Sequence, residues 1–143
     1  MKRNPTWVLI RALVTGIIVA GCSVPAEAPP SDEAIHIEEL DSGLKTLTLS
    51  PKAAERLGIE TAEVEDAGAQ TVVPYASVIY DAQGATWTYV AIEPLSFERE
   101  LIVVESISGD EAVLAAGPAV GTPVVIVGAA ELYGAETGVG GGH

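Results

Sequence analysis

Between residues 43 and 133, short apolar runs recur about every ten residues, and each is cut off by Gly, Pro, Asp or Ser. A chain punctuated this often has no room for heptads or long helices, so the pattern points to a small all-β barrel or sandwich with one helical turn on its rim. Residues 86–92 (TWTYVAI) carry the clearest strand signal, with Trp87, Tyr89 and Ala91 on one face and Thr88 and Val90 on the other. After Glu93-Pro94-Leu95-Ser96 a long strand is expected from Phe97 to Ile107, and further strands over 112–115 and 123–127. Earlier in the chain, residues 44–49 (LKTLTL) are β-prone and stop at Ser50-Pro51, an N-cap followed by proline at the first helical position. One short helix should therefore span 51–57 (PKAAERL) and end at Gly58, before residues 59–65 return to strand. Gln70 to Val73 leads through Pro74 into a strand over 76–80, the proline marking a bulge or an edge. In a barrel this small the bulkiest aromatics belong inside, which places Trp87 in the interior with Tyr89 beside it.

The ends of the chain read differently. Residues 1–11 hold Lys2, Arg3 and Arg11 with no acid, and residues 12–20 (ALVTGIIVA) form an apolar run too short to span a bilayer. The run closes in Val19-Ala20-Gly21-Cys22, which resembles a bacterial lipobox, with the chain's only cysteine in the position that accepts diacylglycerol. The expectation is a lipoprotein signal peptide over 1–21 and lipidation at Cys22; an ordinary secretory signal or an uncleaved anchor with an incidental cysteine is the alternative. Residues 22–42, rich in Pro, Ala and acid, read as the lipidated cysteine and a flexible tether, and residues 134–143 (GAETGVGGGH) as a disordered glycine-rich tail. That leaves 43–133 for the fold and puts the protein outside the cytoplasm, anchored to a membrane.

Charge narrows the partners. The 20 Asp and Glu outnumber the 7 Lys and Arg, for a formal net charge of −13, and three of the seven bases precede residue 12. A surface this negative repels nucleic-acid phosphates and anionic headgroups. With 48% hydrophobic residues, however, the chain can still bury a core.

Chemistry is sparse. His36 and His143, the only imidazoles, fall in segments read as flexible, and Ser77 and Ser96 have no histidine on the folded span to activate them. A lone cysteine forms neither an intramolecular disulfide nor a thiolate cluster. The pairs Glu38-Glu39, Glu65-Asp66 and Asp110-Glu111 read as solvated surface or turns that could bind a cation weakly. Glu93 and Glu98 flank a turn, and Glu98, Arg99 and Glu100 begin a strand in which alternation sets Arg99 beside Phe97 and Leu101; a cross-strand ion pair is the expected use of that arginine. Trp87 and Tyr89 could make an aromatic binding face, but core packing is the preferred reading. No catalytic residue, cofactor or metal site is assigned.

The order of segments resembles a known family. Leu47-Thr48-Leu49-Ser50-Pro51 followed by Leu57-Gly58-Ile59-Glu60-Thr61-Ala62-Glu63-Val64 is similar to the opening of the membrane-proximal domain of periplasmic adaptor subunits, the membrane fusion proteins of resistance-nodulation-division efflux pumps. Val73-Pro74, Ala76-Ser77-Val78-Ile79, Trp87-Thr88-Tyr89-Val90, Phe97-Glu98-Arg99 and Gly121-Thr122-Pro123-Val124-Val125 resemble the adaptor C-terminal region in the same order. The resemblance covers residues 44–133 and implies an all-β fold, a small β-barrel or β-roll of the membrane-proximal type with one short helix, working as a binding module accessory to an inner-membrane efflux transporter. It also implies a departure: adaptors insert a β-barrel, a lipoyl-like domain and a helical hairpin where this chain has only residues 65–70. Such a deletion is physically reasonable if the flanking strands are antiparallel neighbours. A second reading, from a different class, is a free-standing acidic lipoprotein that collects cations or a small ligand with its tether and His36.

Overall fold

A computed structural model describes residues 33–138. The expected signal peptide, Cys22 and tether residues 22–32 lie outside the described residues, as does His143. The described part is mostly β, a nearly closed barrel-like sheet with two helices.

Its strands are β1 (Ile35–Glu39), β2 (Lys45–Leu49), β3 (Glu60–Glu63), β4 (Glu65–Asp66), β5 (Thr71–Pro74), β6 (Ile79–Tyr80), β7 (Thr86–Glu93), β8 (Ser96–Ser108), β9 (Glu111–Ala116) and β10 (Pro123–Val127). Helix α1 (Pro51–Leu57) lies between β2 and β3, and α2 (Ala129–Thr137) follows β10. The local signals around α1 act as expected: the Ser50 side chain accepts from the Ala53 N–H, Pro51 opens the helix, and Gly58 ends it at φ 62°. Pro74 ends β5, and the next three residues, Tyr75–Ser77, wind into a single 3₁₀ turn where strand was expected.

The hydrogen-bonded order β3-β10-β7-β8-β9-β5-β4 makes a ring, because β3 and β4 are two halves of one bent strand over residues 60–66. Its first half pairs with β10 and its second half with β5. Val64 sits at the bend, its side chain 1% exposed, with its N–H donating to Thr122 O and its C=O accepting from Gly121 N–H. The strands on either side of the turn at residues 67–70 are antiparallel neighbours.

Each stave sends residues into one cluster: Val64, Val73, Val90, Ile102, Ala112, Leu114 and Val124. This is the barrel interior. The opposite face of β7, β8 and β10 carries Tyr89, Phe97 and Val125, the alternating neighbours of the interior positions, and these pack into a second core with Leu47 and Leu49 of β2, Ala53 of α1, and Ala129 and Leu132 of α2. The domain thus has two cores that share a wall.

Three expectations are corrected. Trp87 does not lie inside the barrel; Thr88 and Val90 face in, while Trp87, Tyr89 and Ala91 face out toward the second core, and Trp87 is only partly buried. The ordered region begins earlier than residue 43: β1 pairs along its whole length with β2, from Ile35 opposite Leu49 to Glu39 opposite Lys45. His36 is therefore on a strand, exposed. The ordered region also runs past residue 133, because α2 continues to Thr137 and its C-terminal turn is closed by Gly138. Two helices are present where one was expected.

Candidate functional site

The described residues offer two features with chemical character: a buried charged cluster under α2, and a groove on the far side of α1.

The cluster starts from Arg99. Its cross-strand partner in the β7–β8 ladder is Tyr89, with Trp87 opposite Leu101 one step along. The guanidinium lies over the Trp87 ring, 4.2 Å from the centroid, and 5.8 Å from the Tyr133 ring of α2. Its Nη2 is 3.1 Å from Oε1 of Glu136, whose side chain is 3% exposed. The ion pair expected for Arg99 thus exists, but it runs to α2 instead of across the sheet. Glu136 also accepts from the Tyr89 hydroxyl, and Lys45 Nζ donates to the Glu136 carbonyl at 2.8 Å, covering the end of the helix. Burial, then the bond to Glu136, pushes the Tyr89 hydroxyl far above its usual range, so it remains a donor. Arg99 Nε is buried without a partner. The cluster's work is mechanical: it fixes α2 to the barrel wall.

At its exposed end, Trp87 Nε1 donates to Asp81 Oδ2 at 2.9 Å, while Asp81 Oδ1 accepts from the Gln83 and Ala85 N–H groups. The Trp87 bond, helped by those backbone donors and by nearby Arg99, holds the Asp81 carboxyl below the usual carboxylate range. A depressed folded value means that the contribution to stability is present above the unfolded pKa, about 3.9, and is lost as pH falls through the folded one. Carbon-detected NMR should find Asp81 titrating below the exposed carboxylates, with the Trp87 Nε1–H resonance moving at the same pH. In Trp87→Phe the Asp81 midpoint should rise; no change would show that the indole does not set it.

The groove is an open depression of about 690 Å³ between α1, β3 and the β7–β8 turn. Its walls are largely apolar, with Ile59, Ala91, Leu95 and Phe97 among them, and Glu55, Glu60 and Glu93 stand exposed at its rim.

The remaining candidates are accounted for locally. Ser77 is buried and donates to Pro74 O, and Ser96 is buried and shares a hydrogen bond with Thr48. Glu98 accepts from Thr46 at 2.6 Å. Glu100 lies directly across from Thr88, whose buried hydroxyl has no partner, and partial burial raises its carboxyl pKa. Glu38-Glu39, Glu65-Asp66 and Asp110-Glu111 are exposed, and His36 lies 4.0 Å from Glu33 with both side chains mostly in solvent. Among the described residues, no group of three or more His, Cys, Asp or Glu side chains converges, and no helix is long and apolar enough to cross a membrane. Sequence reasoning missed Glu136 and Lys45; the one available signal was the run of helix formers after Gly128, which puts a carboxylate two turns into a short helix. A scan against protein-family models, a search of curated proteins and a search of solved structures each found no match.

Proposed function

We propose that the chain is a lipid-anchored, non-catalytic binding module that docks on the extracytoplasmic face of an inner-membrane transporter, as a stand-alone counterpart of the adaptor membrane-proximal domain. The observation that carries this reading is the closure at residues 67–70. The adaptor insert interrupts the fold at this point, and here β4 and β5 are antiparallel neighbours joined by a turn, so a domain without the insert keeps its ring whole. The order of elements on either side, strand, two-turn helix, bent strand, proline-ended strand, aromatic strand and long arginine-bearing strand, agrees with the resemblance. Anchorage rests on the lipobox at Cys22.

Two measurements test the reading. Intact mass of protein from its native membrane should find a diacylglyceryl-modified Cys22 at the N-terminus, and Cys22→Ala should stay unprocessed; an unmodified mature N-terminus elsewhere sinks the anchor. Mild-detergent purification of the wild-type chain should bring down one polytopic transporter in stoichiometric amount, and reconstitution of that transporter with the domain should change its transport rate. Recovery of the domain alone, or a transport rate indifferent to it, sinks the docking role.

A further inference from the structure

The groove beside α1 carries a ligand chemistry of its own. Its volume of about 690 Å³ falls within the range of small-molecule sites, and such sites combine an apolar floor with a few polar groups that orient the ligand. Here every charged group on the rim has the same sign: Glu55 from α1, Glu60 from β3 and Glu93 from the end of β7.

Among the described residues, no base lines the groove to neutralise them. Lys52 and Arg56 line a separate cleft on the other flank of α1, beside Ala34. Lys45 and Arg99 are engaged with Glu136 under α2. The four bases beyond residue 11 are thus all placed elsewhere, with Lys52 and Arg56 lining the cleft on one flank of α1 and Glu55 the groove on the other.

The floor carries a second mark. Leu95 is the one non-glycine residue with positive φ among the described residues, at 65°. It follows Pro94 in the β7–β8 turn, where the left-handed position favours glycine and a side chain is held under strain. Glycine would remove that strain and also remove the side chain, which lies half-buried in the groove wall. The turn cannot swing away easily, because Leu49 N–H donates to Leu95 O at 2.8 Å and ties it to β2. Strain kept at a ligand-facing position is a sign of use.

We propose that this groove binds a lipophilic organic cation: an apolar body seated over Leu95, Phe97, Ala91 and Ile59, with its positive charge facing Glu55, Glu60 and Glu93. The proposal is independent of transporter docking and stands or falls by itself.

The probe is tetraphenylphosphonium, with tetraphenylborate as the anion of the same shape. Both are titrated calorimetrically into the full chain carrying Cys22→Ala, so that no acyl chain competes, at one fixed detergent concentration with protein-free detergent blanks subtracted. The phosphonium should bind at one saturable site, at least about tenfold more tightly than the borate, since three exposed carboxylates each contribute a modest and salt-sensitive attraction. Glu55→Gln/Glu60→Gln/Glu93→Gln should lose that preference. Glu38→Gln/Glu39→Gln/Glu105→Gln, which removes the same charge at exposed positions outside the groove lining, should keep it. Thr61→Arg, at an exposed position on the rim, should abolish binding while leaving the unfolding midpoint unchanged. Equal affinity for the two ions, absence of phosphonium binding, or equal losses in the two triple variants would overturn the site, the last because net charge alone would then explain the attraction.

Discussion

Arg99→Ala should destabilise the domain by about 3 kcal/mol, because it leaves the Glu136 carboxylate buried with only the Tyr89 hydroxyl for compensation. The guanidinium is 16% exposed, so the figure sits at the lower end of what breaking a buried pair costs. Arg99→Met/Glu136→Leu should recover part of the loss: neither charge then needs solvation and the replacements fill the space between Trp87 and Tyr133, but the buried Tyr89 hydroxyl is left without its acceptor. Urea unfolding followed by circular dichroism measures both. A single variant within about 1 kcal/mol of wild type would show that α2 is held by Ala129 and Leu132 alone. A double variant as unstable as the single would mean that the cation faces on the two rings, and not the ion pair, supply the stability.

The second large effect belongs to Tyr89. It is fully buried in the second core and donates to Glu136, so Tyr89→Ala should cost about 4 kcal/mol and Tyr89→Phe about 1–2, the latter for the buried acceptor left short of a donor. Trp87→Ala, at a partly exposed site, should cost only about 1–2 kcal/mol. Chemical denaturation of the three variants ranks them directly. A Trp87→Ala loss equal to that of Tyr89→Ala would restore Trp87 to the core.

That ranking marks the limit of what the residues alone reveal. The alternation over 86–92 was legible, as were α1 and its caps, because each depends on neighbours within a few positions. Which face of the alternation looks into the barrel was not legible, because both sides of this wall are packed: one against the other staves, the other against α1, α2 and β2. Bulk pointed to the wrong side. A narrow barrel takes Thr88 and Val90, while the aromatic rings fit the broader space beneath the helices.

The two missed elements owe their order to distant partners. In β1, four of five residues are exposed and two are Glu, so nothing in IHIEE marks a strand except its pairing with β2. In α2, Gly134 interrupts the run of helix formers, and the helix lacks a side-chain N-cap; its hold on the domain comes from Leu132 and from a carboxylate that meets an arginine 37 positions earlier. Composition resembling a tail concealed both. The same distance hid the candidate groove, whose three rim carboxylates belong to α1, β3 and β7 and look like ordinary surface when read one at a time.

The placement of β1 has a mechanical consequence. Ile35 lies opposite Leu49, so the point where the chain enters the hairpin and the point where it leaves for α1 are at the same end of the β1–β2 ladder. Tension applied through the N-terminal segment therefore loads the ladder in an unzipping geometry. The bond from Ser50 N–H to Ala34 O gives way first, then the rungs one after another. Peeling β1 frees about 17 Å of chain and leaves the ring of staves untouched, since β2 still holds β8 through Thr46, Leu47 and Thr48. Under such a pull the first strand is the part that yields, lengthening the chain while the ring of staves stays closed.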